Sequence, residues 1–244
     1  MKLITLNTWS GRVKSILDFF NNHQDIDIFL LQEVLHNGTE HTIFNENERA
    51  ELFYEISKLL PNHQGYFAPT EGGEWGLAIF IKKSIEVLKH GDYFVHGHKD
   101  AMIGKDARTL GRNIQFIKIS LGGRILNVLN FHGLWSGNGK SDSPERISQS
   151  EKIAEFIKKL SGEIILAGDF NLLPDSKSLN YIEKELNLRN LIKEYNIKST
   201  RTSYYTKEEK YADYIFCSSV IAVDDFSVMS EEVSDHSALL LVFK

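Results

Sequence analysis

The chain has 244 residues, 42% of them apolar and 25% charged, with a net charge of -5 and a sequence pI near 6.0. That length is ample for a hydrophobic core, and the acidic balance gives no chain-wide basic surface of the kind that binds nucleic acid by charge alone. The one cysteine, Cys217, excludes both a disulfide framework and a thiolate zinc cage.

From the N-terminus, residues 3–6 read as a strand that ends on Asn7. No extended apolar segment precedes Asn7, so no signal peptide is predicted, and no apolar run reaches membrane-spanning length. A cytoplasmic monomer without membrane insertion is the expectation. Val13, Ile16, Leu17 and Phe20 then recur at helical spacing. Residues 26–31 form a nearly all-apolar strand, as expected where both faces are covered, and it runs into Gln32-Glu33. After a polar stretch, Leu52, Ile56, Leu59 and Leu60 give a second helix, stopped by Pro61.

The middle of the chain reads as β: residues 77–81 and 85–88, then 113–119 and 125–131 around the Gly122-Gly123 turn. Gly72-Gly73-Glu74-Trp75-Gly76 and His96-Gly97-His98 read as loops. Ser143-Pro144-Glu145 is a helix start, with a capping serine, proline at the first position and an acid in the first turn. Ile147, Ile153, Ala154, Ile157 and Leu160 supply that helix's apolar face, and Gly162 ends it. The strand Ile164-Ile165-Leu166-Ala167-Gly168-Asp169 follows, then a helix over 179–186 and final strands over 211–217, 220–228 and 238–243. Each half alternates strand, helix and strand, then turns to hairpins. One domain over 1–244, built as two packed sheets with outer helices, is the economical α/β reading.

Four strand ends carry polar residues: Leu6-Asn7, Leu31-Gln32-Glu33, Gly168-Asp169-Phe170-Asn171 and Ser234-Asp235-His236. Open α/β sheets place their ligands at such ends. Asn7, Glu33, Asp169, Asn171 and Asp235 are hard oxygen donors, a set that suits Mg2+ (or Mn2+) completed by water and a substrate phosphate. His132 and His236 lie on the same inferred rim, where an imidazole can stabilise charge on a phosphoryl oxygen. Asp213, within an apolar strand, needs a partner, and orienting His236 is the natural role. Arg112 enters a central strand, from which a guanidinium can grip phosphate bidentately; Arg108 is a weaker competitor.

Leu6-Asn7-Thr8-Trp9, Leu31-Gln32-Glu33-Val34, Gly168-Asp169-Phe170-Asn171, Ala212-Asp213-Tyr214-Ile215-Phe216 and Ser234-Asp235-His236 resemble, in order and spacing, the motifs of the endonuclease/exonuclease/phosphatase superfamily. These are metal-dependent phosphoesterases similar to DNase I and exonuclease III. The resemblance implies a four-layer α/β/β/α sandwich with its site between two sheet edges. It assigns the metal to Glu33, with Asn7 assisting and Asp235 close by. It gives Asp169 and Asn171 the attacking water, and makes Asp213 hold His236, which with His132 contacts the scissile phosphate. Gly111-Arg112-Asn113-Ile114 and Pro144-Glu145-Arg146-Ile147-Ser148-Gln149 are similar to segments of the 5′-tyrosyl-DNA phosphodiesterase branch. Asn130-Phe131-His132-Gly133-Leu134-Trp135 and Asp-Phe-Asn depart from it.

Divalent-metal-dependent hydrolysis of a phosphodiester is thus expected, with DNA or RNA as first substrate. A phospholipid, phosphoinositide or small phosphoester is the alternative, and a catalytically silent binding module a further one. Residues 133–141 mimic a P-loop but lack its first glycine, and the following helix starts too late. They read instead either as a substrate loop, with Trp135 for stacking and Lys140 for phosphate, or as a plain solvated loop.

Overall fold

A computed structural model describes residues 1–40, 42–99, 111–135, 137 and 139–244. Arg108 lies outside the described residues. In chain order the strands are β1 Lys2–Asn7, β2 Ile28–Leu35, β3 His63–Glu71, β4 Trp75–Lys82, β5 Val87–His96, β6 Arg112–Leu121, β7 Arg124–His132, β8 Glu163–Asp169, β9 Leu188–Asn190, β10 Asp213–Ser218, β11 Val223–Val228 and β12 Leu239–Phe243. The helices are α1 Ile16–Asn22, α2 Leu52–Leu59, α3 Pro144–Ile157, α4 Lys177–Leu186 and α5 Leu191–Glu194.

The strands form two six-stranded sheets, ordered β11-β12-β1-β2-β4-β3 and β5-β6-β7-β8-β10-β9. The two orders correspond position by position. Each holds one parallel pair at its centre, β1 with β2 and β7 with β8, flanked by antiparallel neighbours. Asn7 and His132 therefore close equivalent strands, and Glu33 and Asp169 sit at equivalent ends.

Strand alternation explains the layers. Ile4, Leu6, Phe29, Leu31 and Phe80 pack with Ile16, Phe20, Leu52 and Ile56 of α1 and α2. Leu3, Ile28, Leu30, Ile79 and Ile81 point the other way, into the core shared with Ile114, Val128 and Ile165 of the second sheet. Helices α3 and α4 bring Ile153, Leu179 and Ile182 into that core. The result is the four-layer sandwich.

The mismatches with the sequence reading fall mostly at sheet edges. Strand β3, unpredicted, carries Gly65 and Pro69, which an edge tolerates because one side needs no ladder donors. Strand β5 runs to His96 rather than stopping near residue 88. Its middle faces water, so apolar alternation is lost. His96 thus pairs with Arg112 instead of lying in a loop. Strand β11 begins at Val223, and Val220 is exposed in the preceding turn. The predicted start of α3 holds: Ser143 Oγ accepts from the Arg146 backbone N–H at 3.3 Å.

A polar bridge crosses the interface between the sheets. Gln32 Nε2 donates to Asn130 Oδ1 at 2.7 Å, and Asn130 Nδ2 donates to Leu31 O, Ala78 O and Gln115 Oε1. Both residues are fully buried.

Candidate active site

Strand β1 delivers Asn7 to the junction of the sheets. Its Nδ2 donates to Glu33 Oε1 and to Asp169 Oδ2, both at 3.0 Å, while its Oδ1 accepts from the Trp9 backbone N–H. Asn7 therefore reaches the carboxylates through its amide nitrogen and holds Glu33 in place. Glu33 lies in a β-bulge, where the β2–β4 register shifts between Leu31 and Val34, and it adopts a left-handed backbone with φ of 55°. Asn171 is also left-handed, at 53°, as are Trp9 and Ser10. Such conformations cost energy for side chains other than glycine and gather at functional sites.

In the second sheet, Asp169 stands beside both His132 of β7 and Asp213 of β10 by strand register. Asp169 Oδ1 accepts from the Asn171 backbone N–H at 2.8 Å. His132 Nε2 lies 3.7 Å from Asp169 Oδ2 and 3.8 Å from Glu33 Oε1. Asp213 holds His236 through Nδ1 at 2.9 Å, which turns Nε2 toward Asp169 at 3.6 Å and Asp235 at 3.7 Å. All the residues read from the strand ends thus meet in one place, and Arg112 lines the same cavity. The Arg112 guanidinium donates to Gly133 O and Gly111 O and lies 5.6 Å from the Trp75 ring.

The electrostatics follow from burial and crowding. Burial raises the Glu33 pKa, the Asn7 hydrogen bond opposes it, and the charges of Asp235 and Asp169 push it up further. Burial would also raise that of Asp169, but His236, His132, Lys140 and Arg201 together hold it far below the usual carboxylate range. Burial, reinforced by Arg112, drives His132 down to about 3, so its imidazole is neutral at pH 7. For His236 burial acts downward, yet Asp213 prevails and the net shift is upward.

Glu33, Asp169 and Asp235 line one cavity, and Asp235 Oδ1 is buried without a hydrogen-bond partner. Such a donor set fits a hard cation bound through oxygen. Among the described residues, Asp169, Asp213 and His236 also form a buried group whose ligand atoms lie within 4.8 Å of one another. Asp213, however, already accepts from His236 Nδ1.

The cavity above these groups measures about 530 Å3. All three tryptophans of the chain, Trp9, Trp75 and Trp135, line it. Cations accompany their rings: Arg12 by Trp9, Arg112 by Trp75 and Lys207 by Trp135. Sequence reasoning missed Arg201 and Tyr205. Arg201 donates to Asp235 Oδ2 at 3.1 Å, and its guanidinium lies 4.0 Å from the Tyr205 ring. Both belong to an irregular segment with no periodicity; the run of polar residues before Tyr204-Tyr205 was the only signal. Lys140, read as a phosphate contact, lines the cavity but is buried, and its Nζ donates to Tyr211 O at 2.7 Å.

Solved structures share this architecture. The mannosyl-6-phosphatase of Bacteroides thetaiotaomicron superposes with a TM-score of 0.76 at 18% identity, covering 100% of this chain and 99% of its own. A humanized D. rerio TDP2 gives 0.75 at 15% identity, covering 100% and 98%. The human Nocturnin catalytic domain, solved with a bound sulfate anion, gives 0.68 at 18% identity, covering 100% and 94%. No curated protein sequence matches the chain. The family model described as Endonuclease/Exonuclease/phosphatase family matches residues 4–236. Members of that family are phosphoester hydrolases, generally dependent on a divalent metal. With the match spanning nearly the whole sequence, and with the sandwich and its strand-end acids in place, the chain belongs to the endonuclease/exonuclease/phosphatase family.

Proposed function

We propose that this protein is a phosphoesterase that uses Mg2+ or Mn2+ and a water nucleophile, with residues 1–244 acting as one catalytic domain. The observation that carries this reading is the gathering of Glu33, Asp169 and Asp235 on the wall of one cavity, with Asp235 Oδ1 buried and without a hydrogen-bond partner. Glu33 and Asp235 would hold the ion, with Asn7 fixing Glu33. When bound, the ion supplies neutralisation of the charge that develops on phosphorus oxygens.

The protein's own groups do the rest. Asp169, kept ionised, orients the water and takes its proton as the new P–O bond forms and the bond to the leaving oxygen breaks. Asn171, pinned to Asp169 Oδ1, helps position that water. His236, raised in pKa by Asp213, donates to a phosphoryl oxygen, and neutral His132 lies beside the same group. Arg112 reaches a further phosphate oxygen from the cavity wall.

Two substrate classes have specific support. The tryptophans with their adjoining cations resemble the stacking walls that bind single-stranded nucleic acid. The cavity of about 530 Å3, on an acidic chain, suits a small phosphoester, and one structural relative is a mannosyl-6-phosphatase.

The test is a substrate panel with Mg2+, Mn2+, Ca2+ and chelator. It includes single-stranded and abasic DNA, a 5′-tyrosyl oligonucleotide, a phosphoinositide, sphingomyelin and a sugar phosphate. Asp169→Asn should abolish turnover while the fold persists, and wild-type activity in that variant sinks the mechanism. Metal titration of Glu33→Ala, Asp235→Ala and Asp213→Ala locates the ion: the first two should lose affinity, the third far less.

A further inference from the structure

Lys140 is the one buried lysine among the described residues, 4% exposed. Burying an ammonium without a counter-charge is costly, and such groups are normally paired. Here, among the described residues, no carboxylate lies within ion-pair distance of Nζ. Its contacts are a neutral carbonyl, Tyr211 O, and the Tyr205 ring at 5.3 Å. Arg201 lies against that same ring, with its Nε buried and unpartnered. Both cations line the catalytic cavity.

This placement is built rather than incidental. Lys140 O accepts from the Leu173 backbone N–H at 3.1 Å. On either side of Lys140, buried Arg146 binds Gly139 O and Ser141 O, and it also binds Leu134 O. Two residues on, Asp142 accepts from the backbone of Lys177 and Ser178 at the start of α4. The loop is thus anchored to β8's exit, to α3 and to α4, and it fixes at the cavity an ammonium that has no direct ion pair among the described residues.

We propose that Lys140 binds a terminal oxygen of the substrate's phosphoryl group, with Arg201 on the same wall, so that the site selects a phosphate monoester over a diester. The inference rests on the phosphoesterase reading above and names its substrate class. A monoester presents an additional anionic oxygen where a diester carries a second, uncharged ester arm. A buried ammonium with no direct carboxylate partner gains most from that extra charge. Arg201 pairs directly with Asp235, whereas Lys140, among the described residues, has no carboxylate within ion-pair distance and meets Asp169, Asp213 and Glu209 only at longer range.

Inorganic phosphate is the binding probe, titrated calorimetrically in Mg2+ buffer. Turnover is measured on p-nitrophenyl phosphate and bis-p-nitrophenyl phosphate. Lys140→Met should weaken phosphate binding roughly 10- to 100-fold, the loss of one charge-assisted hydrogen bond. The monoester-to-diester ratio of kcat/KM should fall at least about 10-fold, and Lys140→Arg should recover part of both. Phosphate binding by Lys140→Met within about twofold of wild type, or parallel loss on both esters, overturns the proposal. Should Lys140→Met fail to fold by circular dichroism, Lys140→Gln and Lys140→Arg carry the same comparison. Asp169→Asn separates the two layers, because it should still bind phosphate while turning nothing over. A wild-type protein that binds phosphate through Lys140 yet hydrolyses neither ester would sink the phosphoesterase reading and keep the subsite. Hydrolysis of both with no dependence on Lys140 would do the reverse.

Discussion

Asn7 and Asp169 belong to different sheets, yet the Asn7 amide nitrogen lies 3.0 Å from Asp169 Oδ2. The same nitrogen donates to Glu33, so one amide spans the two carboxylates that the proposed chemistry needs. A side chain without a donor at position 7 would leave those acids with no hydrogen bond between them.

Replacing Asn7 should show this directly. Asn7→Ala is expected to lower metal affinity or kcat by about 10- to 100-fold, the usual effect of losing a group that orients a ligand. Asn7→Asp should lose more kcat, since it replaces the shared donor with a further negative charge beside Glu33 and Asp169. Steady-state kinetics with a metal titration reads both. Wild-type kcat and metal affinity in Asn7→Ala would remove Asn7 from the mechanism.

Acid stability offers a second check, on the metal-free protein. His132 accepts a proton only near pH 3 when folded, against an ordinary value of 6.5. Its folded pKa is depressed, so its contribution is present above pH 6.5 and is lost as pH falls toward 3. Between those values the unfolded chain takes up a proton that the folded protein refuses. The slope reaches at most about 1.4 kcal/mol per pH unit. His132→Asn should flatten the fall of Tm between pH 6 and pH 4, and an unchanged slope would place the acid-sensitive group elsewhere.

Much of this site was legible because its residues directly follow apolar runs. Asn7 ends β1, Glu33 follows Leu30 and Leu31, and Asp169 ends β8, so strand periodicity located them without any three-dimensional knowledge. Arg201 and Tyr205 sit in an irregular segment, where no period marks a side chain and only tertiary packing brings them to the cavity; Lys140 was named from its loop, but nothing there signalled its burial against Tyr211 O. Edge strands β3 and β5 were missed or truncated for a related reason: Pro69 and the water-facing Lys89, His90 and Asp92 erase the alternation that identifies a strand. Gln32 and Asn130 were hidden the other way, as polar letters inside strands whose pairing partner lay 98 residues off.

That pair gives a third prediction. Asn130→Ala removes the shortest of three acceptors of Gln32 Nε2 and a donor to Leu31 O and Ala78 O, all buried. Stranding such groups should cost on the order of 3 kcal/mol. A denaturant midpoint within error of wild type would show that the apolar faces alone align the sheets.

The tryptophans give a fourth. All three line the candidate active-site cavity, so no distant indole dilutes the signal. Intrinsic fluorescence should change saturably when inorganic phosphate or a substrate analogue binds, and Trp75→Phe should reduce the amplitude most, since its ring lies 5.4 Å from His132. A flat titration alongside calorimetric binding would place the ligand elsewhere.

The left-handed backbone at Glu33 carries a last consequence. Glycine tolerates that conformation freely, whereas glutamate there costs on the order of 1 kcal/mol, before any repulsion from Asp235 and Asp169 is counted. Glu33→Gly should therefore melt higher than wild type while losing turnover. A library selected for heat resistance alone would drift toward glycine at position 33, and its most robust members would be inert.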